Sequence, residues 1–396
     1  MTKKNNFTRR EFLEIGGLGA MGLALWQNAA AQEAGNSSKK MLLYIGTYTT
    51  SGKSQGIYVH EFDPETGKLT PLHVVKGVTE PSFLAIGNNR KYLYAVNELV
   101  EYEGQKSGAV SAFEIDQKTG NLRFLNKQPS LGGAPCHITV SENQKFVLVA
   151  NYVGGNVSVY PLEKDGRLGA SVDLAQHAGT GPNKDRQEAA HAHSITLSRD
   201  NRFGVVGDLG IDKVMIYGFD DKTGKLSPNP AQAFYQTKPG AGPRHFTFHP
   251  NGKFAFVINE LDLTISSLAF DKNSGTLTEI QTVPTLPGGA SAAGATCADI
   301  HVAPNGRFLY GSNRGHNSLV SFKIDEQTGR LEYLEHVSTQ GKKPRNFAVA
   351  PNGKFLLVAN QDSDNIVVFR LDEQTGKLKA TGQSVNVPVP VCLKFV

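Results

Sequence analysis

Arg244 and Glu260 stand sixteen residues apart, and Arg314 and Arg345 follow later in the chain. Guanidinium groups bind carboxylates and phosphates through two parallel hydrogen bonds. A glutamate held among arginines and histidines acts as acid or base once burial and neighbours tune its pKa. His137 and His193 add groups that move protons or hydrogen-bond near neutral pH. Asn151 and Asp208 supply further polar contacts to a substrate. This set suits a small anion bearing a reactive carbonyl. His191-Ala192-His193 puts two imidazoles on one strand face, but no carboxylate ligand is associated with them, so neither a metal nor a cofactor is expected. No HExxH, GxSxG, P-loop or CxxC pattern occurs in a confirming context.

These residues are scattered over 396 positions, so a regular scaffold must gather them. A turn phrase, hydrophobic-x-Asp-x-x-Thr-Gly-Lys/Arg-Leu, recurs seven times, as in FDPETGKLT, KIDEQTGRL and RLDEQTGKL. Its glycines are Gly67, Gly120, Gly166, Gly224, Gly275, Gly329 and Gly376, spaced 46 to 58 residues apart. Short β-rich units at such a period mark a β-propeller, here all-β with seven four-stranded antiparallel blades. The segment from Gly242 shows one blade. Strand A is Pro243 to Phe248, an Asn-Gly turn leads to strand B at Phe254 to Asn259, strand C runs from Thr264 to Phe270, and strand D from Thr276 to Gln281. Six copies are complete; the seventh is split. Pro390 to Phe395 reads as a strand A and Met41 to Gly46 as a strand B, so the last blade closes from both chain ends and protects the sheet edges.

Strands A and B are antiparallel, so the start of A and the end of B share one face of the disc. In a propeller A is innermost, which makes this face the channel mouth. The A starts carry Ser82, Cys136-His137, His191 to His193, Arg244-His245, Asp299 to His301 and Arg345-Asn346. The B ends carry Asn97-Glu98, Asn151-Tyr152, Asp208, Asn259-Glu260, Asn313-Arg314 and Gln361. Mouth residues that differ between blades are where function separates from scaffold. Plainer readings stand beside these. Arg345 also suits an inter-blade ion pair. His191, His245 and His301 suit structural roles, Asp208 a turn, and Cys136, Cys297 and Cys392 small core positions.

The first 31 residues read as a leader. Lys3, Lys4, Arg9 and Arg10 precede an apolar stretch from Ile15 to Trp26, and Ala29-Ala30-Ala31 offers a cleavage site. Thr8-Arg9-Arg10-Glu11-Phe12-Leu13 is similar to a twin-arginine export signal. Residues 32–40 read as a flexible linker and 41–396 as the propeller. Net charge is +5 for the whole chain, and +3 once the four basic and two acidic residues of the leader are removed. So mild a charge excludes nucleic acid as a partner. The expected mature protein is a periplasmic or secreted monomer with no membrane attachment.

The blocks AGPRHFTFHPNGKFAFVINEL (241–261), CADIHVAPNGRFLYGSNRGHNSLVSFKID (297–325) and KPRNFAVAPNGKFLLVANQDSDNIVVFRLD (343–372) resemble the seven-bladed lactonase family. That family includes propeller-type 6-phosphogluconolactonases and the fungal 3-carboxy-muconate lactonizing enzyme. The resemblance runs from about Leu42 to Phe395. It implies metal-independent opening or closing of a lactone ring, with a small anionic lactone as substrate. It also implies a site of one histidine, two arginines and a glutamate, matching His193 (with His191 close by), Arg244, Arg314 and Glu260. The export signal departs from the family's phosphorylated sugar lactones, which belong to cytoplasmic metabolism. The expected activity is hydrolysis of a sugar lactone; the alternatives are a muconate-type cycloisomerase and a non-catalytic exported binding propeller.

Overall fold

The computed structural model describes residues 40–396. The leader (1–31) and all but the last residue of the linker (32–40) lie outside the described residues. Seven antiparallel sheets follow one another around a central channel. Blades 1 to 6 occupy residues 84–129, 135–176, 192–236, 243–284, 296–338 and 344–386. Blade 7 joins Pro390–Phe395 to Met41–Thr47, Gly56–Phe62 and Leu69–Lys76, in that order from the inside outward. The closure from both ends is therefore as expected, with Leu43 to Gly46 paired to Phe395 to Cys392. Blade 4 matches its expected strands, the third and fourth running slightly further, to Asp271 and Pro284.

Two blades depart from the regular plan. The inner strand of blade 1 is only Leu84–Ile86. The outer edge of blade 3 is carried by two short pieces, Leu226–Pro228 and Phe234–Gln236, both paired with Lys213–Phe219.

The recurring glycines do more than turn the chain. All seven have positive φ, between 71° and 84°, where a side chain is strained. Each also faces a side chain of the preceding blade. A Cβ on Gly275 would lie 2.3 Å from the Phe203 ring, and one on Gly376 2.3 Å from Phe308. Tyr44, Tyr94 and Tyr310 donate their hydroxyls to the carbonyls of Gly120, Gly166 and Gly376. The aspartate of the phrase accepts backbone N–H groups two and three residues on, as Asp325 does from Gln327 and Thr328. The phrase is thus a clasp between neighbours, repeated around the ring. The apolar core lies between sheets. Phe256, Ile258 and Ile265 of blade 4, for example, pack with Leu309, Val320 and Phe322 of blade 5. Such a core forms only when neighbouring blades stack, which holds the mouth residues of different blades in fixed register.

Candidate active site

The inner strands do not run straight to the mouth. Blades 2, 3, 4 and 6 each break register at the start of the inner strand, skipping Cys136, His193, Arg244 and Arg345. These are β-bulges, and a bulge re-aims the side chain that it leaves unpaired. Strict alternation would send one of each adjacent pair into the blade. The bulge frees these four from the ladder where the strand meets the channel.

Three of them, Cys136, His193 and Arg345, line a cavity of about 360 Å³ together with Tyr48, Glu98, Tyr152, Arg186, Glu260 and Arg314, and Arg244 lies behind it against Glu260. Glu260 is its electrostatic centre. The buried carboxylate accepts Arg186 Nη2 at 2.6 Å and Arg244 Nε at 2.8 Å, and it forms an ion pair with Arg314 Nη2 at 2.8 Å, a group that donates to the Cys297 carbonyl. Burial pushes its pKa up, but the charges of Arg314, Arg244 and Arg186 outweigh that and hold it far below the usual carboxylate range. Arg244 is itself only 1% exposed and donates to the Ala298 carbonyl as well. Burial, then Arg314 and Arg345, pull its pKa down to about 10, which leaves it cationic at neutral pH.

Arg345 differs from these three. Its guanidinium lies 5.4 Å from the Tyr48 ring centroid and makes no hydrogen bond to the described residues. Among the described residues no ion pair within 4 Å holds it, although the charge of Glu98 acts on it. His193 sits with Nδ1 3.6 Å from Cys136 Sγ and its ring edge-on to Tyr152. Burial, then Arg244, His245 and Arg345, keep it neutral, well below the usual histidine range. Among the described residues no group of three or more His, Cys, Asp or Glu is arranged to hold a metal ion.

The family model described as "Lactonase, 7-bladed beta-propeller" matches residues 42–395. The chain belongs to the seven-bladed β-propeller lactonase family. It is 39% identical over 356 residues to a 6-phosphogluconolactonase of Bacillus subtilis, covering 90% of this chain and 98% of that one. It is 37% identical over 310 residues to a 6-phosphogluconolactonase of Formosa agariphila, covering 77% and 85% respectively. The solved structure of a periplasmic gluconolactonase of Pseudomonas aeruginosa superposes with a TM-score of 0.84 at 34% identity, over 90% of this chain and 99% of that one.

The lactonase mouth brings together Glu260, Arg244, Arg314, His193 and Arg345. It does not bring in the other three residues expected to bind substrate. Asn151 is fully buried and donates to the Ser130 carbonyl and to Asn156. Asn97, Asn313 and Asn360 donate in the same way to the carbonyls of Thr79, Thr285 and Thr339. The asparagine that ends strand B is therefore scaffold. Asp208 takes that position in blade 3, where it accepts from the His191 and Gly210 amides and lies 2.6 Å from His177 Nδ1. Its oxygens are spent on the loop. His137 lies away from the cavity, 4.4 Å from the Phe83 ring and 5.4 Å from His245.

Of the two close histidines, His193 lines the cavity. His191 stacks on Tyr152 at 4.4 Å and bonds the Tyr152 carbonyl, holding that ring in place. His245 and His301 both bond Asp299, at 2.7 and 2.9 Å, which fits their structural reading. Two lining residues, Arg186 and Tyr48, come from loops that the strand reading passed over. Arg186 had a signal: the 58-residue step from Gly166 to Gly224 is the longest, and the extra chain before blade 3 carries it. A larger hollow of about 590 Å³ lies between blades 3 and 4 on the opposite face. Its charged residues, Glu142, Arg199, Asp200 and Lys272, are all exposed, so it lacks the desolvated charge of the mouth.

Proposed function

We propose that the mouth cavity hydrolyses a sugar lactone without a metal, by fixed positive charge and proton transfer. One observation carries this: three guanidiniums locked on Glu260 stand beside a fourth, Arg345, that makes no hydrogen bond to the described residues. Attack of water on a lactone carbonyl, with loss of one proton, builds an oxyanion, and ring opening then yields a carboxylic acid and an alkoxide that takes the proton back. Preorganised donors aimed at such charge lower the barrier more than mobile ones, because nothing needs to reorient during reaction. In this reading Arg186, Arg244 and Arg314 stabilise the oxyanion, Arg345 holds the anionic or polyol end of the substrate, and His193 orients it as a neutral imidazole. Glu260 keeps the arginines in place. A carboxylate with so depressed a pKa is a weak base and a negligible proton donor at neutral pH. The named activities of the Bacillus, Formosa and Pseudomonas relatives support the choice of gluconolactone and its 6-phosphate as substrates.

Hydrolysis of both lactones by residues 32–396, with EDTA present, is the test. Turnover that survives the chelator is expected on at least one. Absence of turnover on both would transfer the site to a binding role, and muconate lactone formation would make it a cycloisomerase.

We also propose export through the twin-arginine route. The leader supports it, as does likeness to a relative described as periplasmic. Replacing Arg9 and Arg10 by lysine is expected to retain the precursor in the cytoplasm. Unchanged fractionation of the variant would overturn this route.

A further inference from the structure

Glu98 and Glu260 hold the same position in two blades. Each follows the asparagine that ends strand B, in AVNEL (95–99) and VINEL (257–261). Each also bonds the side chain sixteen residues earlier, at the mouth end of its own blade. In blade 4 that side chain is Arg244; in blade 1 it is Ser82. The repeat thus presents a carboxyl group to the cavity twice, once against guanidiniums and once against hydroxyls.

The hydroxyls make the difference chemical. Glu98 accepts from Ser82 Oγ and from Tyr48 Oη, the latter at 2.9 and 3.0 Å to its two oxygens. A hydroxyl donates to a carboxylate and turns to accept from a carboxylic acid, whereas a guanidinium only donates. Glu98 therefore keeps its partners in both protonation states; Glu260 keeps its own in one. The groups facing Glu98 are Tyr48, Ser82, Arg345, Glu80 and Cys136, and Arg345 makes no hydrogen bond to it.

We propose that Glu98 is the proton-transfer residue of this site. The proposal rests on the lactone-hydrolase reading above. A water oxygen bonds to the lactone carbonyl carbon as its proton passes to the Glu98 carboxylate. The tetrahedral oxyanion then collapses, the carbonyl carbon–ring oxygen bond breaks, and the proton passes from Glu98 to that oxygen. The products are the open hydroxy acid and the original carboxylate. Burial supports this role by raising the Glu98 pKa, against the opposing pull of Arg345, Ser82 and Tyr48. Two carboxyl groups in one site with pKa values pushed apart divide the labour between proton carrier and fixed charge.

The test is the pH dependence of kcat with whichever lactone the wild type turns over. Activity should rise with pH as Glu98 ionises. Glu98→Gln should lower kcat by about 100-fold and flatten that limb, with KM moved by less than about 3-fold. Tyr48→Phe removes a donor that favours the anion, so its limb should move to higher pH; this variant decides the matter if Glu98→Gln fails to fold. A Glu98→Gln enzyme with kcat within about 3-fold of wild type and an unchanged limb would overturn the role of Glu98 and leave the lactonase reading standing. A wild type inactive on every lactone would instead remove the reading on which it rests.

Discussion

Glu260→Gln is expected to cost about 3–5 kcal/mol of stability and at least about 100-fold in kcat, the first through lost charge balance and the second through misplaced arginines. Glutamine keeps the shape of the side chain but removes the negative charge on which Arg186, Arg244 and Arg314 converge. Arg244, which is almost fully buried, cannot turn to water for compensation. Removing one partner of a buried pair costs far more than the pair's net worth, because the remaining charge stays desolvated. The pH dependence carries the sign. A carboxylate whose folded pKa is depressed contributes stability that is complete above its unfolded pKa and is lost as pH falls through the folded value. The arginines depress Glu260 in this way. The gap between wild type and variant should therefore be full at pH 7 and close only in strong acid. Urea unfolding at pH 7 and in strong acid measures it. A variant within about 1 kcal/mol of wild type at pH 7 would show that Glu260 does not anchor the arginines.

That expectation separates two uses of one residue, and the sequence alone did not separate them. The spacing of Arg244 and Glu260 was enough to place both at the mouth, since strand alternation and an A–B hairpin bring them to one rim. Whether the carboxyl moves a proton or holds charge depends on how many guanidiniums reach it, and Arg186 arrives from a loop without a repeat pattern. The four bulged residues were legible as mouth positions, but the register skips that free them from the ladder were not. Asn151 and Asp208 show the opposite error. Both end a strand B, where asparagine recurs in blade after blade, and that recurrence is itself the mark of scaffold. Glu98 shows the reverse case: the AVNEL and VINEL phrases are alike, yet only the partner sixteen residues earlier, serine or arginine, tells the two carboxyl groups apart. The seven-blade architecture was fully legible because each turn glycine must serve the same clasp, whereas the site is built where blades differ.

Ending the chain at Val389 is expected to lower Tm by roughly 5–10 °C or to abolish cooperative folding altogether. The lost segment, Pro390–Phe395, is the innermost strand of blade 7. Val391, Cys392 and Leu393 within it are each at most 2% exposed. Burial of side chains of this size stabilises by about 1.5–3 kcal/mol each, so these three alone contribute roughly 5 kcal/mol or more. The pairing partners on Leu43 to Thr47 would lose their ladder, and the inner edge of blade 7 would face the channel unpaired. The damage would extend to the neighbouring blades. Asn346 Oδ1 of blade 6 accepts the Leu393 amide, and Cys392 Sγ accepts the Leu84 amide of blade 1. These two contacts tie the closing strand to the blades on either side of blade 7. Thermal unfolding of the truncated and full-length proteins decides the point. A melting temperature within about 2 °C of the parent would mean that six blades and a three-stranded remnant hold the ring without the closing strand. If the closure carries the stability inferred here, the mouth should fail with it. Tyr48 follows the Met41–Thr47 strand directly, so losing that strand's partner loosens the loop that delivers a hydroxyl to Glu98. Lactone turnover should then disappear along with the folded signal.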